Sequence, residues 1–321
     1  MDLASVVGQA TTGMFQTPWS GGTSLFVLAS AVVIDLALGE PPTPLHPVVW
    51  LGRLQAGLRR GAPRHPAGAF LWGLGMALLG PVGFAGGCWF LLRVLPGPLS
   101  VLVGIFFLKS SFAIRGLSRA AGDVNAALKA HDLPGARHAL RSLVSRDTSS
   151  LPPSLLAAAA IESLGENTSD SVVGPLLCFA IGGVPAAVAY RAINTLDSMI
   201  GYRGETEWLG KAAARLDDVV NLIPARLTAL LTIVVSGPAR RSAAAVWSRD
   251  RGKTESPNAG HAMAAFAGAL GVVLEKRGLY QLGLGLREPE VADIERAIRL
   301  YARVVLIFIL GVGIALSGWP R

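Results

Sequence analysis

The chain has 321 residues, of which 51% are hydrophobic and only 16% charged, and its mean hydropathy is +0.49. Soluble globular chains carry about 25% charged residues, so the composition excludes an ordinary soluble domain and points to an integral membrane protein. The net charge of +8 is scattered, with no aromatic–basic platform, which argues for cytoplasmic loops and anionic small molecules and against nucleic acid as a partner.

Residues 1–22 read as a loosely ordered N-terminus. No basic residue precedes the first apolar run, so no cleaved signal peptide is expected. That run is Thr23–Leu38, with Asp35 near its end and within reach of the interface. Pro41, Pro42, Pro44 and Pro47 then predict a rigid loop. Arg53, Arg59, Arg60 and Arg64 mark the following segment as cytoplasmic. Gly68–Leu92 is long enough to span about 30 Å of hydrocarbon; Pro96-Gly97-Pro98 predicts a turn, and Leu99–Ile114 returns. Lys109 has two readings there: a lysine snorkelling to the interface, or an anion contact at the membrane face. Cys88 and Cys178 lie inside apolar runs and read as small buried hydrophobes.

From Arg115 to Ser150 the chain is basic and polar, in two short amphipathic helices broken at Asp132-Leu133-Pro134-Gly135. A helix from Ser154 carries Glu162, Glu166 and Asp170 at i, i+4 and i+8, which puts three carboxylates on one stripe. The stripe is either a solvated acidic face or one whose repulsion is offset by arginines or a divalent cation, the cation being favoured. Ser171–Ile193 is apolar, with Gly182-Gly183-Val184-Pro185 at its middle. It is a single span, or a re-entrant hairpin that returns both flanking motifs to one side; a site built from both motifs favours the hairpin.

Val219–Val235 is a further apolar run holding Pro224 and Arg226, and Arg240–Lys253 is another basic loop. Ser256–His261 opens an Ala/Gly-rich helix to about Leu274, too short to span. Exposed N–H groups at its start would suit a phosphate, unless the helix is simply capped. Residues 287–303 read as an amphipathic interfacial helix, and Val304–Leu316 as the last span. The fold expected is all-α: a polytopic integral membrane helical bundle with broken or re-entrant helices and a cytoplasmic helical segment. Its divisions are 1–22, 23–114, 115–170, 171–283 and 284–321, with four clear spans and two ambiguous ones.

The polar residues concentrate between 146 and 226, where Asn-Thr-x-Asp occurs twice, at Asn167–Asp170 and Asn194–Asp197. Charges beside membrane-length apolar runs are costly and mark a working site. Asn167/Asp170, Asn194/Asp197 and Asp217/Asp218/Asn221 offer the hard oxygens that Mg²⁺ takes. Arg146, Arg191, Arg215 and Arg226 supply forks for phosphate or carboxylate. Together they suggest a Mg²⁺–nucleotide or Mg²⁺–phosphate reaction at the membrane face. No phosphate loop, nucleophile elbow or zinc spacing is present. Among the histidines only His46 is a candidate near the site, against a loop-packing role.

Six phrases in order carry a resemblance: Leu45–Arg53 (Leu-His-Pro-Val-Val-Trp-Leu-Gly-Arg), Val144–Thr148, Glu162–Asp170, Ala192–Tyr202, Ala214–Asp218 and Ser256–Gly260. They resemble the adenosylcobinamide-phosphate synthase family of cobalamin biosynthesis, from about Asp35 to Gly283. The resemblance implies a multi-pass enzyme of the bacterial inner (plasma) membrane whose active site faces the cytoplasm. It implies ATP as co-substrate and Mg²⁺ as cofactor, in a ligase that attaches (R)-1-aminopropan-2-ol or its phosphate to a propionate of the corrinoid adenosylcobyric acid. Asn167, Asp170, Asn194, Asp197, Asp217 and Asp218 are then the metal candidates. Glu162, Glu166, Asp197 and Asp218 are the catalytic ones, the glutamates taking the proton of the ammonium or binding it. His46, Lys109, Arg146, Arg191, Tyr202, Arg215, Arg226 and Asn258 are the candidates for substrate or phosphate. One departure stands out: members often read Trp-Pro-Glu after Ser-Pro-Asn-Ala-Gly, where this chain has His261-Ala262-Met263. Two other classes compete, a Mg²⁺-dependent prenyl or phospho-alcohol transferase that needs no ATP, and a transporter for an anionic or corrinoid solute. The central expectation is that the acidic and guanidinium clusters converge on one cytosol-facing cavity.

Overall fold

The structure, a computed structural model, describes residues 19–201, 204 and 206–318. In chain order its helices are α1 (Gly21–Leu38), α2 (Pro47–Arg60), α3 (Pro66–Val94), α4 (Gly97–Lys109), α5 (Ile114–Lys129), α6 (Leu133–Leu140), α7 (Pro153–Thr168), α8 (Gly174–Ile200), α9 (Glu207–Val220), α10 (Leu222–Val235), α11 (Arg240–Asp250), α12 (Ala259–Leu270) and α13 (Val291–Ser317). A π turn, Ser169–Val173, joins α7 to α8, and strands β1 (Leu274–Lys276) and β2 (Tyr280–Leu282) lie between α12 and α13. Among the described residues five stretches are long and apolar enough to cross a membrane, or six if the bent pair α9–α10 counts as one. Large apolar side chains stand exposed along α1, α3 and α13, among them Phe26, Val33, Leu79, Val82, Leu310 and Ile314. A water-soluble surface does not carry apolar faces of that extent, and lipid is the solvent that suits them. The protein is a polytopic membrane bundle.

The chain divides into two compact units. The first takes the chain up to Ala113, then Gly174–Val220, and the chain from Gly311 onward. Its helices begin on prolines: Pro47 and Pro66 occupy the first turns of α2 and α3, where the missing N–H costs nothing. Ala69, Met76 and Ala77 of α3, Leu196 and Ile200 of α8, and Leu209 and Ala213 of α9 share one core. Small residues allow the close approach. A Cβ on Gly73 would lie 1.9 Å from the Leu209 carbonyl oxygen, and one on Gly210 1.8 Å from that of Ile200.

Within this unit α8 is two arms. At Gly182 (φ −130°, ψ 17°) and Gly183 (φ 68°, ψ −164°) the backbone leaves the helix, and Gly183 occupies a region that only glycine enters without strain. A straight helix would hold Gly174 and Tyr190 about 24 Å apart. Instead the buried Tyr190 ring lies on Gly174, whose added Cβ would meet the phenol oxygen at 2.2 Å. The arms therefore run back along each other, as the hairpin reading expected, and the second arm brings Asn194–Asp197 back toward the end at which the chain entered.

The second unit takes Ile114–Val173 and Asn221–Leu310. Two of its helices are buried on every side, α7 across Leu156–Gly165 and α12 across Gly260–Leu270. Their Ala-rich sequences suit this, since small side chains let neighbouring helices close in on all faces. Three features correct the sequence reading. The segment after α12 is a two-stranded antiparallel ribbon with Lys276 opposite Tyr280, where no strand was expected. The Ala/Gly helix stops at Leu270, because Gly271 turns left-handed (φ 70°). The interfacial helix and the last span are one continuous helix, α13, whose N-terminal part is tied to this unit by the Tyr301 hydroxyl, which donates to the Ile114 carbonyl at 3.0 Å.

Candidate functional site

In the first unit the proline loop is held shut by its own residues. His46 caps α2, its Nδ1 accepting the Val48 N–H at 3.2 Å, and its Nε2 lies 2.9 Å from Glu40. The Trp50 indole donates to the Pro44 carbonyl at 2.7 Å. Lys109 reaches into the same group, 3.0 Å from Asp35 and 3.2 Å from Glu40. Burial alone would raise the Glu40 carboxyl, but His46 and Lys109 hold it below the usual carboxylate range. This corrects two readings. Lys109, 2% exposed, neither snorkels nor faces a free anion, and Asp35, 0% exposed, does not reach an interface. His46 has the packing role, with both ring nitrogens engaged. Lys109→Met would leave a carboxylate buried without its cation, and loss of about 3–5 kcal/mol of stability is expected. Thermal unfolding in detergent checks this, and Asp35→Asn in the same chain should restore part of it.

The polar face of the second α8 arm meets α9 within this unit. Leu196 and Ile200 turn into the core, which leaves Asn194 and Asp197 off that face. Arg191 donates to Asn194 Oδ1 at 3.2 Å, and Asn194 Nδ2 to Asp217 Oδ1 at 3.5 Å. The turn after Asp197 requires glycine, for a Cβ on Gly201 would lie 2.0 Å from the Asp197 carboxylate. Arg215 is exposed and stands 3.9 Å from Asp218. Tyr202 lies outside the described residues. Arg191, Asn194 and Asp217 thus come together, with Asp218 and Asp197 on the same two helices.

In the second unit Arg146 donates through Nη2 to Glu162 Oε2 at 2.7 Å, and Glu162 is 4% exposed. The solvated acidic face is therefore wrong at Glu162, where the arginine reading holds. The stripe also stops at Glu166. Asn167 Nδ2 and the Thr168 hydroxyl donate to carbonyls four residues back, at 2.9 and 2.6 Å, and the helix loosens into the π turn that holds Asp170. Asn167 Oδ1 accepts the Ser171 hydroxyl at 3.2 Å, so this carboxamide is engaged within its own helix.

Tyr280 was missed by the sequence reading. Its ring lies beside Glu162 and Glu166, and burial, with Glu162 next in effect, pushes its phenol well above the usual range, so it stays an O–H donor. Nothing in the local sequence signalled this, because the contact depends on the ribbon. A second omission is Asp250, fully buried and bound by Arg249 at 2.8 Å, Lys253 at 2.7 Å and the Gly283 N–H at 2.6 Å. It fastens the loop after the ribbon to α11.

The start of α12 is capped rather than open to phosphate. Asn258 and Ala259 donate N–H groups to the Ser256 hydroxyl at 3.2 and 3.4 Å, and Gly260 donates to the Thr254 hydroxyl at 3.0 Å. Arg226 donates to Asn258 Oδ1 at 3.2 Å and to the Leu222 carbonyl at 2.8 Å. The His261-Ala262-Met263 departure falls inside the packed helix. There Trp247 donates its indole N–H to His261 Nδ1 at 3.1 Å, which requires an unprotonated nitrogen. Burial first, then Arg226 and Arg251, lowers the His261 pKa from 6.5 to about 4. The unfolded chain therefore binds the extra proton between pH 4 and 6.5, so stability is full above this window and falls as pH drops through it. Unfolding temperatures across that window are expected to decline less in His261→Gln than in the parent.

Among the described residues no three His, Cys, Asp or Glu side chains are grouped to hold a metal. Mg²⁺ does not need such a cage, since it is commonly bound by one or two carboxylates, several waters and substrate phosphates. Asp217 Oδ1, which accepts the Asn194 carboxamide N–H at 3.5 Å, and the neighbouring carboxylate of Asp218 are oxygens of the type such an ion takes.

The family profile described as CobD/Cbib protein matches residues 28–301. The chain is 46% identical over 270 residues to "Cobalamin biosynthesis protein CobD" of Dehalococcoides mccartyi, covering 82% of this chain and 88% of the relative. It is 42% identical over 293 residues to "Probable cobalamin biosynthesis protein CobD" of Pyrococcus furiosus (91% and 98%) and 40% over 315 residues to the Rhodobacter capsulatus CobD protein (91% and 98%). No solved structure matches the chain.

Proposed function

Because the chain belongs to the CobD/Cbib family of cobalamin biosynthesis, we propose that it is an ATP-dependent amide synthase. It attaches (R)-1-aminopropan-2-ol, or its phosphate, to the f propionate of adenosylcobyric acid, giving adenosylcobinamide or its phosphate. The observation that carries this reading beyond the family is the buried Glu162–Arg146 pair at 2.7 Å, a carboxylate kept away from water with one oxygen, Oε1, making no hydrogen bond among the described residues. Such a group suits an ammonium.

A carboxylate and an amine do not condense unaided at neutral pH. In the proposed reaction a propionate oxygen attacks the γ-phosphorus of ATP and ADP leaves, or it attacks the α-phosphorus and pyrophosphate leaves. The amine nitrogen then attacks the activated carbonyl, the C–O bond to the phosphoryl group breaks, and inorganic phosphate or AMP departs. Glu162 or Glu166 takes the proton released from nitrogen. Arg191 and Arg146 steady oxyanions. When bound, Mg²⁺ would neutralise phosphate charge, with Asn194, Asp217 and Asp218 as its holders. The basic segments Arg53–Arg64 and Arg115–Arg146 support a cytoplasmic side for the reaction by the positive-inside rule, where ATP is available. The test is turnover by purified protein with each amine, read by mass spectrometry. Product that forms equally well without ATP would overturn the proposal.

A further inference from the structure

In the second unit a cavity of about 260 Å³ opens between the Arg146–Leu155 segment and the turn that joins β1 to β2. Arg146, Lys276 and Arg277 line it, with Asp147 and Glu275 as the acidic residues. The two carboxylates do not cancel the three cations equally. Asp147 is folded onto its own backbone, its oxygens accepting the Ser149 N–H and hydroxyl, both at 2.9 Å. Glu275 borders the cavity too, but it alternates with Lys276 along the strand, so the two side chains leave the ribbon on opposite faces. Lys276, opposite Tyr280, shares the face turned toward Glu162. Among the described residues neither Lys276 nor Arg277 is ion-paired, although Lys276 is half-buried. Lys276 acts on the carboxylate of Glu162, which is already ion-paired with Arg146, so the two cations share one carboxylate and an anion would complete the set. Arg146, fixed by Glu162 through Nη2, presents a planar donor fork whose position is already set.

We propose that Arg146, Lys276 and Arg277 form a subsite for a phosphoryl dianion carried by one of the substrates. This rests on the function proposed above and names the group that this part of the site receives. Two sources share the chemistry, the polyphosphate of ATP and a phosphorylated amino alcohol. In the second case the neighbouring Glu162 would receive the ammonium of the same molecule. Free aminopropanol has nothing for this subsite to bind.

The test is calorimetric titration of the full chain in detergent with ATP, with 1-aminopropan-2-yl phosphate and with free 1-aminopropan-2-ol, using the parent and a Lys276→Ala/Arg277→Ala double variant. Arg277 is exposed and Lys276 half-buried at the end of the ribbon, so elution volume and unfolding temperature verify the fold. The Kd of one phosphate-bearing ligand is expected to rise at least about tenfold, while that of the free amine is unchanged. Weakened ATP binding identifies a nucleotide subsite, and weakened binding of the phosphorylated amine identifies an amine-phosphate subsite; either supports the proposal. A charge-keeping Lys276→Arg/Arg277→Lys variant should bind as the parent does. Unchanged Kd values for both phosphate ligands, or no binding of either by the parent, overturn it. Because binding is read without turnover, a protein that makes the amide with unaltered Kd values sinks the subsite alone. One that binds through these residues but makes no amide sinks the assigned reaction alone.

Discussion

Asp197→Ala and Asp218→Ala are each expected to lower amide formation by about 10²-fold or more, while the protein remains inserted at parental yield. Both side chains are half-buried on helices whose core faces, Leu196 and Ile200 on α8 and Leu209 and Ala213 on α9, point elsewhere. Their loss removes negative oxygens without opening a cavity in that core. The effect is therefore on chemistry rather than on folding. Turnover by purified protein, normalised to the folded fraction on size exclusion, checks it. Retained activity in both variants would remove these carboxylates from the mechanism. Raising Mg²⁺ should recover part of the activity of Asp218→Asn, whose carboxamide keeps one oxygen, and none of Asp218→Ala.

Glu162 is expected to separate structure from chemistry. Glu162→Ala leaves the part-exposed Arg146 guanidinium without its partner, and a cost of about 1–3 kcal/mol should accompany loss of activity. Glu162→Gln keeps the shape and an oxygen for the Arg146 donor but cannot hold a proton. It should fold near the parent and lose about 10²-fold in rate. A Gln variant that turns over at the parental rate would make Glu162 a purely structural partner of Arg146. The same pair of variants separates the two uses of Glu162, because only proton transfer shifts the pH profile of the rate.

Much of the architecture was legible because lipid imposes simple rules. Apolar run length predicted the spans from Thr23, Gly68 and Leu99, and the glycine pair at 182–183 predicted the break that folds α8 on itself. The misreadings share a physical cause: they depend on long-range partners. Lys109 looks the same in sequence whether it snorkels or meets Asp35, 74 positions earlier by numbering. Glu162, Glu166 and Asp170 form a stripe only while the helix stays regular, and hydroxyl and carboxamide groups bonding back to carbonyls end that regularity at Thr168. The ribbon that carries Lys276 and Tyr280 is three residues per strand, too short for a two-residue period to announce itself. The Ser256–Gly260 phrase was read correctly as a helix start, and of its two readings the capped one holds, with Thr254, outside the phrase, supplying one of the capping hydroxyls.

The most direct test incubates the purified protein with adenosylcobyric acid, Mg²⁺ and aminopropanol or its phosphate, with and without ATP, and follows corrinoid and nucleotide together by mass spectrometry. The account predicts a corrinoid heavier by the amine less one water, formed only with ATP and matched mole for mole by ADP or AMP. A corrinoid left unchanged while the parent protein is folded and all reactants are present would contradict it.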